Sequence, residues 1–350
     1  MKFKEGELSV MIIGNLLTTA MGVMPHTEVD KALDLAMSLD IPFWPQLPLY
    51  SYYEDMYVQA SENFPGIILD VNKKTLKFST EKFYQELNFI MENWENEKLF
   101  DISEKYSVVY HKFLEKDLSK YKAIRGQMEG PISFGFYVKD EKDKPILFND
   151  EIRPFMFEFM AKRVNVQLKR LKEKNKNAFM FIDEPGLQFL FSALSGYSDV
   201  FAKQDIENFL SMIDRPRGIH LCGNPDWDFL FGFDMDIVSI DIHTNQKVIP
   251  LYGNSIKKFI ERGGIIVWGI VPTNYEPFMK ENINSLKKLL NEVWDIVVNV
   301  GVDRSQLLAQ SLLSPATCCL VNKDKDKTVT KAFKILQKLS YQLKEENNIS

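Results

Sequence analysis

The stretch "RPRGIHLCGNPDWDFLF", residues 215–231, sets His220 and Cys222 one residue apart at the end of an apolar run. The chain holds only four histidines and three cysteines, so two scarce side chains stand together here. In an extended strand, residues two apart share a face, and the imidazole and thiol then point the same way. Both are good ligands for Zn²⁺. The other cysteines, Cys318 and Cys319, are adjacent in "SPATCCL", and either supplies a third soft ligand. A fourth position falls to Asp241 or His243 in "VSIDIH", or stays open to substrate as in catalytic zinc sites. A substrate thiol entering it would lose its proton and become a nucleophile at neutral pH. The competing reading is a chance H-x-C in which cysteine serves as a small buried hydrophobe.

Carboxylates gather at similar places. "AFMFIDEP" closes on Asp183 and Glu184 just before Pro185. Proline ends the run, so at least one of the two faces the same end as His220 and Cys222. Such a group holds a substrate ammonium or acts as a general base; otherwise it caps a helix. Glu129 in "QMEGP" has a similar setting. His26, in "MPHTEVDKAL", either lines the site or marks a helix start capped by Thr27. His111 is expected to be exposed on a helix.

These residues need elements to bring them together. Eight short runs read as strands: 10–16, 41–47, 123–130, 178–185, 218–224, 236–242, 264–271 and 306–313. Many are almost wholly apolar, as in strands buried on both faces. Between most of them lie amphipathic helices, including 26–39, 255–263 and 283–301, the last closed by Gly301. Eight alternating units predict an α/β fold of the (β/α)8 TIM-barrel type, one domain over 1–350. A doubly wound sheet is the rival, but no G-x-G-x-x-G follows any strand. Residues 49–122 are too long for one crossover and are expected to form an insertion after the second strand. It would hold a hairpin over 66–79 and helices over 81–95 and 103–120, near the barrel mouth. In a parallel barrel the C-terminal strand ends share one face, where active sites sit.

Composition narrows the partners. The chain has 350 residues, 26% charged, with a formal net charge of −5 and no long basic run, so nucleic acid is not expected. No run of about 18 apolar residues exists, and no membrane span is expected. The N-terminal apolar stretch is broken by Asn15, Thr18 and Thr19, unlike a signal peptide. Three cysteines make no disulfide framework, which favours reduced thiols and the cytoplasm.

Taken together, "IHLCGNPDWDFLF", "FIDEPGL", "VSIDIH" and "SPATCCL" resemble the superfamily of cobalamin-independent methionine synthase, uroporphyrinogen decarboxylase and corrinoid-dependent methyltransferases. The resemblance implies a (β/α)8 barrel. It implies a zinc site on His220, Cys222 and Cys318, the last matched by the "CL" that follows it. Asp241 stands where the synthase branch has a glutamate ligand. Asp183 matches the aspartate that holds the amino group of homocysteine. Met21, Gly22 and Val23 fall on the loop that binds the amino-acid substrate, with Val23 in place of a serine. The synthase has a further N-terminal barrel for its folate donor, for which this chain is too short. The implied donor is therefore a methylcorrinoid carried by a corrinoid protein. The decarboxylase branch uses an N-terminal arginine, and residues 1–120 contain none. The resulting expectation is a zinc-dependent methyltransferase acting on a small thiol such as homocysteine or coenzyme M. The rivals are a zinc-using thiol transferase or lyase without a methyl donor, a uroporphyrinogen-decarboxylase-like barrel of other activity, and a non-catalytic binding barrel.

Overall fold

The computed structural model describes residues 14–189, 197 and 199–349. The chain is an α/β protein built on a curled sheet of seven parallel strands. In chain order the strands are β1 (Leu17–Thr18), β2 (Ile67–Asp70), β3 (Thr75–Phe78), β4 (Ile124–Glu129), β5 (Ala178–Asp183), β6 (Arg217–Leu221), β7 (Ile237–Asp241), β8 (Ile265–Val271) and β9 (Ser311–Pro315). The parallel sheet has the order β1-β9-β8-β7-β6-β5-β4, while β2 and β3 pair as a separate antiparallel hairpin.

Burial on both faces follows from the sequence of each strand. In β5, "AFMFID", every residue is buried. Phe179 and Phe181 point inside the curl and pack with Leu17, Ile41, Ala123, Ile237, Ile265, Val267 and Leu312. Met180 and Ile182 point outward into the larger core beneath the helices. The major outer helices are Val29–Met37, Ile152–Lys174, Asp199–Met212, Gly253–Glu261, Ile283–Asn299 and Lys327–Glu346. Asn282 and Ser285 form a capping box at the start of the 283–299 helix. Gly301 follows its end at φ +99°, the left-handed conformation that glycine adopts most readily.

Three strand expectations shift. Residues 10–13 of the first lie outside the described residues, and pairing begins only at Leu17. The last moves to Ser311–Pro315 because 304–309 forms a helix capped by Asp303. The second, 41–47, is reduced to isolated bridges, Val23 with Gln46 and Phe43 with Arg125. Pro42 and Pro45 carry no N–H, so no continuous ladder can form there. The segment nonetheless bonds to both edge strands' neighbourhoods. Ile41 N donates to Thr18 O at 2.9 Å and Gln46 N to Gly22 O at 2.8 Å; Arg125 N donates to Pro42 O at 3.0 Å.

Within 49–122, the hairpin forms as expected, and a helix covers Thr80–Glu92. The second helix is only Val108–Leu114. After it, Asp117 accepts from Ser119 N at 3.2 Å, a local turn that competes with helix extension. His111 is half-buried rather than exposed, with Nε2 2.8 Å from Ile102 O. A buried polar chain ties this segment down. Glu54 accepts from Ser107 Oγ at 2.7 Å, Val109 N at 3.1 Å and Gln59 Nε2 at 3.0 Å. Gln46 Nε2 donates to Gln59 Oε1 at 2.8 Å. From the 152–174 helix, buried Arg163 donates to Gln59 O at 3.0 Å and to Glu62 O.

Replacing Arg163 by Met would strand two buried carbonyls while keeping the side-chain volume. Charged hydrogen bonds contribute roughly 1.5–3 kcal/mol each, so we expect a loss of about 3 kcal/mol, seen as a lower midpoint in thermal denaturation. An unchanged midpoint would show that this tie contributes nothing.

Candidate functional site

The inward-facing residues of the sheet turn from apolar to polar towards the C-terminal rim. In β4 the inward series is Arg125, Gln127 and Glu129; in β5 it is Phe179, Phe181 and Asp183. Strand register then aligns Glu129 with Asp183, Asp183 with His220, and His220 with Ser239. One polar row therefore crosses β4 to β7.

His220 is buried on β6 and anchored from both ring nitrogens. Nδ1 lies 3.0 Å from Ser239 Oγ, and Nε2 lies 2.8 Å from Cys222 Sγ. Cys222 sits in the bend just past β6 rather than in the strand itself, yet its thiol stays beside His220. Its sulfur is 3.8 Å from Cys318 Sγ. Cys319 turns the other way, its Sγ donating to Asn274 Oδ1 at 3.7 Å and Val321 O at 3.5 Å. The hydrogen bond with Cys318, followed by burial, pushes the Cys222 thiol well above its ordinary value. Without a cation, Cys222 is therefore held protonated.

The donor set can be compared with tetrahedral zinc. Bond lengths of about 2.3 Å to sulfur and 2.0–2.1 Å to nitrogen imply S···S edges of about 3.8 Å and N···S edges of about 3.5 Å. The sulfur pair has the first spacing. The His220–Cys222 contact is shorter than the second by about 0.7 Å, and the two would part by that amount around an ion. As they stand, no three or more His, Cys, Asp or Glu side chains among the described residues form a finished metal cluster. The chemistry and the S···S edge suit zinc, and one short contact must open.

The two other ligand candidates are engaged elsewhere. Asp241 caps the short helix Ile242–Asn245, accepting from Thr244 N at 3.0 Å, and burial raises its pKa. His243 Nε2 pairs with Glu281 Oε1 at 3.1 Å. His26 is buried beside the loop that follows β9; its Nε2 is 3.9 Å from Asp326, its Nδ1 has no partner among the described residues, and burial lowers its pKa.

The carboxylates divide. Glu184 is committed to structure: its carboxylate accepts from Ile132 N at 3.0 Å and from Ser133 N and Oγ at 2.8 and 2.6 Å. It thereby caps the helix Pro131–Tyr137, whose own cap residue is Gly130. Asp183 has no hydrogen bond to its carboxylate among the described residues, and burial raises its pKa to about 7 against the pull of Arg125. Glu129 faces Tyr57, and one of its oxygens has no partner among the described residues. Gly22 is required by close approach, since a Cβ there would lie 2.7 Å from Gln46 Oε1. Met21 is buried beside it. Gly22 O and Val23 O accept from Gln46 N and Cys319 N, so this loop's carbonyls brace the rim.

Ser239, Tyr57, Gln127 and Arg125 escaped the sequence reading. For the β4 pair a signal existed: Arg125, Gln127 and Glu129 alternate as three polar residues on one face of a buried strand. Tyr57 lies in the 49–122 segment and carries no such mark.

No family model and no curated protein matches the sequence. Among solved structures, a B12-independent methionine synthase from Shewanella sp. W3-18-1, in complex with selenomethionine, is similar with a TM-score of 0.46 and 13% identity. The match covers 65% of this chain and 64% of that one, so this chain spans less than two thirds of that protein's length. Similarity at this level identifies no family. Among the described residues, no helix is long and apolar enough to cross a membrane.

Burial, then repulsion from Asp183 and Glu184, raises the Glu129 pKa well above its ordinary 4.5. A raised folded value adds stability that is complete below the ordinary value and is lost as pH rises through the folded one. Glu129→Gln should match wild-type stability in acid and exceed it in alkali. Infrared difference spectra should show a protonated carboxyl at pH 7 that vanishes in the variant; its absence from wild type would show that Glu129 is ionised.

Proposed function

We propose that this chain is a zinc-dependent methyltransferase that moves a methyl group from a methylcorrinoid to a small thiol. The observation that carries the reading is the convergence of His220 and Cys222 with Cys318, which lies 96 residues beyond Cys222, on one point of the sheet's C-terminal rim. In this reading the fold is a (β/α)8 barrel whose eighth stave is the segment 41–46, with 49–122 as its insertion in a single domain. The protein would be cytoplasmic, with a corrinoid protein as donor partner and neither nucleic acid nor membrane involved.

Zinc held by His220, Cys222 and Cys318 would supply a Lewis acid that brings a thiol pKa down from about 8.5 towards neutrality. The chain's own residues do the rest. Ser239 orients the His220 ring through Nδ1, leaving Nε2 as the ligand atom, a second-sphere contact of the kind that fixes metal-bound imidazoles. Asp183, lacking a hydrogen bond, is available to an acceptor's amino group, and an ammonium beside it would favour its ionised form. Glu129 stands next to it in the polar row. Glu184 holds the 131–137 helix in place beneath them and takes no direct part.

Purified protein should contain zinc. Zinc-edge absorption should show about two sulfur ligands, rising to about three with homocysteine or coenzyme M. Cys222→Ser should lose both metal and methyl transfer. Full activity with an empty site would sink the mechanism, and four fixed protein ligands unmoved by either thiol would mark the metal as structural.

A further inference from the structure

Arg125 is a guanidinium inside the curl of the sheet, with only 1% of its surface exposed. It lies 4.5 Å from the Phe43 ring centre and 5.2 Å from that of Phe181. Its Nε donates to Thr19 Oγ1 at 3.1 Å. Its Nη1 donates to Gln127 Oε1 at 2.7 Å and, at 3.4 Å, to Gly126 O. Its Nη2 has no hydrogen-bond partner among the described residues.

The direction of that free amino group follows from the other two. A guanidinium is planar, and Nη2 shares one edge with Nε and another with Nη1. Thr19 and Gln127 therefore bracket it. Gln127 is the next inward residue up β4 towards the rim, and Thr19 leads into the Met21–Val23 loop. The guanidinium is thus drawn towards the rim and away from the apolar floor of Leu17, Ile41, Ala123 and Phe179. Among the described residues the anion whose field acts on it is Asp183, and no hydrogen bond joins the two. A buried cation with unused N–H groups is costly unless something anionic meets it.

We infer that Arg125 is the anchor for the anionic headgroup, a carboxylate or sulfonate, of the acceptor thiol. The inference rests on the reading that this site takes a thiol. It adds that the thiol must carry a negative group at the end remote from its sulfur. The spacing agrees. The Glu129–Asp183–His220 row is four residues above Arg125, about 13 Å at 3.3 Å per residue. The raised guanidinium spans roughly half of that, and a short-chain thiol suits the remainder.

The test uses zinc-loaded protein and three probes: 3-mercaptopropionate, 2-mercaptoethanesulfonate and the neutral 3-mercaptopropanol. Calorimetry should find both anions at least about tenfold tighter than the alcohol. Arg125→Met, with zinc content and thermal midpoint checked, should erase that preference, and Arg125→Lys should keep part of it. Should Arg125→Met fail to fold, ¹⁵N-guanidinium NMR of the wild type decides: the Arg125 resonances should move with either anion and not with the alcohol. Equal affinity for acid and alcohol, a preference that survives in folded Arg125→Met, or unmoved resonances would each overturn the inference. Protein with no zinc that still prefers the anions would sink the methyltransferase reading and leave the anion anchor. Zinc-dependent transfer without that preference would do the reverse.

Discussion

The parallel ladder is the constraint on which the site depends. Because all seven strands of the sheet run the same way, their C-terminal ends reach one rim. Because side chains alternate with period two, register alone decides what lines the interior. The aligned row reads Glu129, Asp183, His220, Ser239, Val267 and Leu312 across β4 to β9. Its first four members are polar and its last two apolar, so the polar part is continuous across β4 to β7. A slip of one residue in β6 would turn His220 outward into the helix layer and bring Ile219 or Leu221 inward. Such a slip is costly, because Ile219 and Leu221 would leave the core beneath the helices together. The packing that stabilises the sheet thus also aims the chemistry.

That arrangement crowds ionisable groups where water is scarce. Burial lifts Glu129, Asp183, Glu184 and Asp241 above the ordinary carboxylate range. The fold relieves only some of this. Glu184 receives three hydrogen bonds from the start of the 131–137 helix, and Asp241 caps the helix after β7. Among the described residues Asp183 receives none, Glu129 keeps one bare oxygen, and Arg125 keeps one bare amino group. Structural carboxylates are satisfied and the rest are left wanting, the pattern expected where a ligand completes the hydrogen bonding.

How much of this was legible in the sequence depends on how local each signal is. The buried strands of the sheet's middle are continuous apolar runs and stand within a few residues of their expected places. The H-x-C pair is local and could be read directly. Segment 41–47 misled because its apolar content says strand while Pro42 and Pro45 forbid the ladder, leaving only bridges. Helix 103–120 was overextended because periodicity does not register the turn that Asp117 makes with Ser119. Glu184 and Asp183 are neighbours of the same type, so sequence cannot divide them. The division comes from the 131–137 helix, whose start lies more than 50 residues earlier and offers its N–H groups to only one of the two. Arg125 hid in plain view, since one charge in an apolar run reads as noise until Gln127 and Glu129 are seen on the same face.

The choice between Cys318 and Cys319 shows how the rim is fixed before any ligand arrives. In the loop after β9 the two neighbouring thiols turn to different partners, Cys318 to Cys222 and Cys319 to Asn274. The outward partner is secured by three loops at once. Cys319 N donates to Val23 O at 3.3 Å, and its sulfur meets Asn274. Thr273 Oγ1 donates to Thr317 O at 3.1 Å, and Asn322 Nδ2 to Thr273 O at 2.7 Å. Val23 is itself held by its bridge to Gln46. The loops after β1, β8 and β9 therefore lock the "TCC" backbone, and Cys318 is delivered to within 3.8 Å of Cys222 by contacts it does not itself make. A third ligand positioned by its surroundings loses little freedom when it binds, which is the condition for a preorganised site.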